Sequence, residues 1–414
     1  MTMGQQNILI INQPMGNRGD ESAHRALVRN LNKALPHTHI TILTLTDYHN
    51  AEQEFIVDNP LNTYINFLFP HNLAAPLIAQ WSLKAGLQRV ALYLHPILRK
   101  LLPYYKKADV VLCAPGGICM GGFQNWEHLF MLYVAKICQK PLFYYSRSFG
   151  PFPTKTWLNR RFKHLSEEML HYFSFLSIRD RKTMQLADEM QVHYVPAIDA
   201  AFLEQPIVNI PQELHLQSEK YVVLVPNSLT WHYAYKQCSQ DNINTFYLAI
   251  IGLLRKSYPY CDIIMLPQLC SLKEKGDYGY FLKLQSLCTP TDQKYIQVIP
   301  DIYGSDIQQN IIRNAQLVIG ARYHSIVFAI NNKCPFIALN YEHKIAGLLE
   351  ELGLESRETD ISAEVFTNCD NTTKALHSIE QILLSSQPYN GTQYQQQAYQ
   401  LAQQCFDTMI RKLL

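Results

Sequence analysis

Arg322 and His324 flank Tyr323 directly after the apolar run 317–319, and Lys344 follows Asn340 and Tyr341 directly after the apolar run 336–339. Both runs have the length and flanks of buried parallel strands. In a doubly wound sheet such strand-to-helix junctions lie at the carboxyl edge, where ligands bind. A guanidinium fork, an imidazole and an ammonium gathered there make an anion site, and N–H groups at the helix start near His324 add further donors. Taken alone, Arg-x-His reads more simply as an arginine paired with a carboxylate and a satisfied core histidine. Lys344, one strand later, moves the reading toward a site.

The elements that must position these residues alternate between strand and helix. Strand patterns fall at 7–12, 39–45, 109–114, 141–146, 175–178 and 192–195, with helical spacing at 21–35, 125–138 and 156–172. The alternation restarts with strands at 221–225, 262–266 and 295–299 and helices at 243–257, 278–287 and 306–314. Such βαβ repetition on both sides of a gap predicts two parallel sheets covered by helices on both faces. The gap, residues 203–218, is rich in Pro, Gln and Glu and reads as a linker. The expected division is therefore an N-terminal domain over 1–205, a C-terminal domain over 206–385 and a helical tail over 386–414. The tail keeps apolar spacing through Tyr399, Ala402, Phe406 and Ile410. It either crosses back onto the first domain or lies loosely on the surface.

Composition narrows the class. The 414 residues are 48% hydrophobic with a formal charge of only +2, which suits a globular protein and argues against nucleic acid as the main partner. The ten cysteines form no CxxC pair and no zinc spacing, so reduced thiols in the cytoplasm are expected. The N-terminal stretch lacks the charged start and long apolar core of a signal peptide, and no run approaches 18 apolar residues. No GxGxxG follows the first strand and no Walker loop is present. Asp277, Asp301 and Asp306 read as caps of helices or turns, and neither a metal site nor a cofactor is expected.

Five stretches occur in a telling order: MGNRGDES at 15–22, GGICMGG at 116–122, SFGPF at 148–152, IRD at 178–180, and GARYHS with NYEHK across 320–344. Together they resemble the polysaccharide pyruvyl transferase family over most of the chain, to about Leu354. The resemblance implies two Rossmann-like domains facing across a cleft, as in GT-B glycosyltransferases. It also implies transfer of a carboxyethylidene group from phosphoenolpyruvate to two hydroxyls of a sugar, with release of phosphate, in making a cell-surface polysaccharide or its precursor. Three positions depart from the usual pattern: Ile118 replaces a common third glycine, Tyr323 a leucine, and Ala200 follows Asp199 where proline is frequent.

On this reading, phosphoenolpyruvate meets Arg322, Tyr323, His324 and Lys344 in the second domain and Arg179 and Ser148 from the first. A phosphate and a carboxylate on one small frame need several cationic or N–H groups close together. His324 is the candidate acid, because imidazole titrates near neutral pH, with Arg322 and Asp20 completing the catalytic set. Arg179 alternatively pairs with Asp180 or Asp199, and Arg147 is a lower-ranked alternative for the anion. Asn17, Gly19, Asp20, Gly116 and Gly117 are assigned to the sugar acceptor. For the first of these stretches the plainer reading is a tight turn at Gly19 and a helix capped by Asp20 or Ser22. The apolar, basic segment 73–105 reads either as helices packed in the domain core or as a peripheral contact at the inner face of a membrane bearing lipid-linked acceptors. A nucleotide-sugar glycosyltransferase of GT-B type and a non-catalytic sugar binder remain as alternatives.

Overall fold

Short strands, the central ones apolar and buried, build two parallel sheets in this computed structural model, which describes residues 6–14, 16–44, 56–67, 74–117, 119–204, 206, 214, 216, 218–270, 276–385 and 388–414. The first unit holds β1 (Asn7–Gln13), β2 (His39–Thr44), β3 (Asn62–Asn66), β4 (Val110–Cys113), β5 (Leu142–Arg147), β6 (Phe175–Ile178) and β7 (Val195–Pro196). They pair in the order β3-β2-β1-β4-β5-β6-β7. The second unit holds β8 (Tyr221–Val225), β9 (Asp262–Met265), β10 (Ile296–Val298), β11 (Val318–Gly320), β12 (Phe336–Asn340) and β13 (Glu358–Asp360), in the order β10-β9-β8-β11-β12-β13. Every described strand pairing is parallel. All residues of β4, β5, β6 and β8 are buried, as expected for strands covered by helices on both faces.

Each sheet reverses its strand order once, between β1 and β4 in the first and between β8 and β11 in the second. These switch points open a crevice at the carboxyl ends of the strands. The loops after β1, β4, β8 and β11 are therefore the places to look for chemistry.

The two units are not simple halves of the chain. The first comprises residues 1–15, 20–204 and 400–414, and the second 16–19 and 205–399. The final helix, Gly391–Leu413, is thus divided. Phe406 packs edge-on against Tyr145 of the first unit at 6.5 Å between ring centroids, while Gln397 reaches the Glu351 carbonyl of the second at 3.4 Å. Most of the expected linker lies outside the described residues; at its start, Ala200–Leu203 form a buried 3₁₀ turn. Strands β3 and β13 are absent from the sequence reading. Both are polar edge strands (NTYIN and ETD) without an apolar alternation to announce them.

Buried histidines make the first unit sensitive to acid. His24 lies in the core with Nδ1 2.8 Å from Gln13 Oε1 and Nε2 3.0 Å from the Tyr64 hydroxyl. Burial, aided by the neighbouring Arg25, lowers its pKa to about 3. The folded value lies below the unfolded one, so protons bind the unfolded chain preferentially. The contribution to stability is complete above about pH 6.5 and is lost as the pH falls toward about 3, at about 1.4 kcal/mol per pH unit. Melting temperature should fall steadily from neutral pH to about pH 4, and His24→Gln should flatten that slope. A slope unchanged by the substitution would remove His24 as its source.

Candidate functional site

At the switch point of the second sheet, Arg322 occupies the N-cap of helix Tyr323–Asn331 in extended conformation. Its guanidinium Nη2 donates to Oδ1 of Asp277, the first residue of helix Asp277–Leu287. The other carboxylate oxygen of Asp277 accepts the Gln268 and Leu269 N–H groups at 3.0 and 2.9 Å. That loop in turn holds residues 16–19. Arg18 N donates to the Gln268 carbonyl at 2.9 Å, Cys270 N to the Gly16 carbonyl at 2.8 Å, and Asn17 bridges Leu269 antiparallel. Gly19, in the first turn of helix Arg18–Ala34, lies so close to His324 that a β-carbon there would coincide with the imidazole ring. A closed circuit results: Arg322, Asp277, loop 268–270, residues 16–19, His324.

This circuit corrects two local expectations. The residue needing a left-handed backbone is Gly16, at φ 87°, whereas Gly19 is small because His324 leaves no room for a side chain. Neither Asp20 nor Ser22 is the N-cap. Asn17 accepts the Gly19 N–H at 2.9 Å, as an N-cap residue does. Asp277 is more than the helix-end residue expected of it. Its carboxylate joins a loop to the arginine.

The expected gathering of unmatched cations is corrected as well. The side chains of Arg322 and Asp277 are 11% and 3% exposed, and an unmatched charge at such depth costs about 3–5 kcal/mol. Burial alone would lower the Arg322 pKa, but Asp277 and Tyr341 outweigh it and the net shift is upward. At the end of the neighbouring β12, Lys344 Nζ lies 3.2 Å from Glu342, which also accepts the Tyr341 hydroxyl at 2.9 Å. Burial pushes Glu342 up, yet Lys344 and Tyr341 hold it below the usual carboxylate range. The edge therefore carries two ion pairs and a buried histidine. Only Nη2 of the Arg322 guanidinium is engaged there; its Nε is buried and has no partner among the described residues.

Sequence reasoning passed over Trp231, in the loop after β8. Its indole N–H donates to buried Asn227 at 2.9 Å, and the Arg322 guanidinium carbon lies 5.8 Å from the ring centroid. At 46% exposure it presents an aromatic face to solvent at the switch point. A tryptophan in a polar loop directly after a buried strand was the available signal.

In the first unit the loop after β4 passes between Asp20 and Arg147. A methyl group at Gly116 would sit 3.3 Å from Arg147 Nη1 and 3.4 Å from Asp20 Oδ1, whereas Gly117 faces open space. Arg147 is turned inward. It donates to the Ala114 carbonyl, to the Gly117 carbonyl at 3.1 Å and to Cys119 Sγ at 3.2 Å. It holds the loop, so the alternative of Arg147 as the anion's ligand is withdrawn. Ile118 lies outside the described residues. Arg179 pairs with Asp199 and places its Nε 3.4 Å from Ser148 Oγ, while Asp180 caps the next helix through the Thr183 N–H at 2.9 Å. Of the two carboxylates weighed for Arg179, Asp199 is the one that binds it. Among the described residues no group of three His, Cys, Asp or Glu side chains is placed to hold a metal ion.

Known proteins are similar to this chain at two levels, fold and sequence. Trehalose-6-phosphate synthase OtsA shares the fold with a TM-score of 0.57 at 10% identity, covering 99% of this chain and all (100%) of that one. A putative UDP-N-acetylglucosamine 2-epimerase from Listeria monocytogenes does so at 0.55 and 11% identity, over 95% of this chain and 94% of that one. In sequence, the amylovoran biosynthesis protein AmsJ of Erwinia amylovora is 22% identical over 382 residues, 86% of this chain and 88% of that protein. The family model for polysaccharide pyruvyl transferase matches residues 17–343, a span that takes in Arg322 and His324 and ends one residue before Lys344. The chain belongs to the polysaccharide pyruvyl transferase family.

Proposed function

We propose that the protein transfers a carboxyethylidene group from phosphoenolpyruvate to two hydroxyls of a polysaccharide sugar or its lipid-linked precursor. The observation that carries the donor assignment is the partly engaged Arg322 guanidinium at a switch point, two residues from His324. A carboxylate or phosphate oxygen satisfies the buried Nε–H, and the positive end of helix Tyr323–Asn331 favours the anion. Lys344 supplies a point charge once the anion competes with Glu342.

The chemistry follows from the donor. His324 delivers a proton to the methylene carbon of phosphoenolpyruvate, which becomes a methyl group and leaves C2 cation-like. A sugar hydroxyl adds to C2 and gives up its proton to a base, for which Asp20 is the candidate. The C2–O bond to phosphate then breaks, the second hydroxyl closes the ketal, and its proton departs. Tyr323, Arg179 and Ser148 complete the donor assignment, and Asn17, Gly19, Gly116 and Gly117 the acceptor assignment. The enzyme works in the cytoplasm.

Incubation with phosphoenolpyruvate and candidate galactosides should release phosphate. Arg322→Ala should raise the donor KM about 10- to 100-fold, the loss of one charge-assisted contact. An unchanged donor KM would count against the assignment. A second reading, a glycosyltransferase acting from a nucleotide sugar, draws support from the Glu342 carboxylate beside Lys344. Nucleotide release in place of phosphate release would select it.

A further inference from the structure

Helices Ala74–Ala85 and Gln88–Leu94 of the first unit bury one stripe and leave another in solvent. Ala75, Ala79, Leu83 and Leu92 are fully buried, as the core reading of this segment expects. On the other side Leu77 and Trp81, one turn apart, are 60% and 71% exposed, and Val90 and Leu94, one turn apart, are 52% and 75% exposed. Helix Trp157–Leu170 packs beside them, its Arg161 donating to the Leu83 carbonyl at 3.4 Å, and its Trp157 is 60% exposed. Single exposed apolar residues are ordinary, but a contiguous set on packed neighbouring helices marks an interaction surface. Leu73, at the start of the segment, lies outside the described residues.

Charge selects the partner. Residues 59–108 contain six lysines and arginines and no aspartate or glutamate. Of these, Arg89, Arg99, Lys100, Lys106 and Lys107 are exposed. A second copy of the same face would bring like charges together, whereas an anionic bilayer gains from each Lys or Arg near its surface. Exposed indole and leucine side chains suit the headgroup boundary. The helices are too short to cross a bilayer, and among the described residues no helix is long and apolar enough to do so.

We infer that this face docks the protein on the surface of an anionic membrane, with Trp81 and Leu94 inserted and the basic residues on the lipid headgroups. The inference rests on the proposed function only for the idea of a lipid-linked acceptor. Its test needs neither donor nor acceptor, so its failure and the failure of the transfer reading are distinguishable. The full chain should float with vesicles of mixed phosphatidylglycerol and phosphatidylcholine, and at least about tenfold less with phosphatidylcholine alone or at high salt. The double variant Trp81→Ala/Leu94→Ala, altered only at exposed positions, should lower partitioning by about tenfold or more. Absence of flotation with anionic vesicles, or flotation of the double variant equal to wild type, would overturn the inference. So would a concentration-dependent dimer that the double variant abolishes, which would assign the face to a second copy of the chain.

Discussion

A His324→Ala variant is expected to keep its fold and lose about 10²- to 10⁴-fold in turnover, the range for removing a positioned general acid. His324 is 8% exposed, in the first turn of helix Tyr323–Asn331, with its ring edge-on to Tyr323 at 5.0 Å. Truncation leaves a space beside Gly19 and touches no core strand, so the melting temperature should move little compared with the rate. Steady-state phosphate release and thermal melts on one preparation separate the two effects. Turnover near wild type would eliminate His324 as the acid.

Gly19→Ala should produce a comparable loss, of about 10²-fold or more, for a steric reason. Alanine is a better helix former than glycine by about 1 kcal/mol, so helix Arg18–Ala34 gains intrinsically from the change. The added methyl group nevertheless occupies the position of the imidazole, and the ring must turn away. A loss of rate is therefore expected without a comparable loss of helix stability. Because both changes act on one ring, combining Gly19→Ala with His324→Ala should cost little beyond His324→Ala alone. Additive losses, or a fully active Gly19→Ala enzyme, would show that the close packing is immaterial to turnover.

Much of the fold is legible from the sequence, because buried parallel strands are short apolar runs and the helices between them carry clear spacing. The edge strands β3 and β13 escape because pairing, more than burial, makes them strands. At the site, the residue types at the ends of β11 and β12 are readable, and so is their carboxyl-edge position. Their partners are not. Asp277 precedes Arg322 by 45 positions, and no periodicity links an aspartate at the start of one helix to an arginine capping another. The same limit hides the match of Gly19 to His324 and the turning of Arg147 onto the Gly117 carbonyl. Long-range contacts of this kind depend on the packed sheet, and local pattern carries no trace of them.

The interleaving of the two units bears on how the polypeptide reaches its native state. A fragment beginning after Glu204 lacks residues 16–19 and leaves the backbone of Leu269 and Cys270 without its pairing strand. A fragment ending there lacks Phe406, and with it the cover over Tyr145. On the ribosome, the N-terminal core must wait for residues 400–414 to emerge before it is sealed. No single cut yields two self-sufficient proteins.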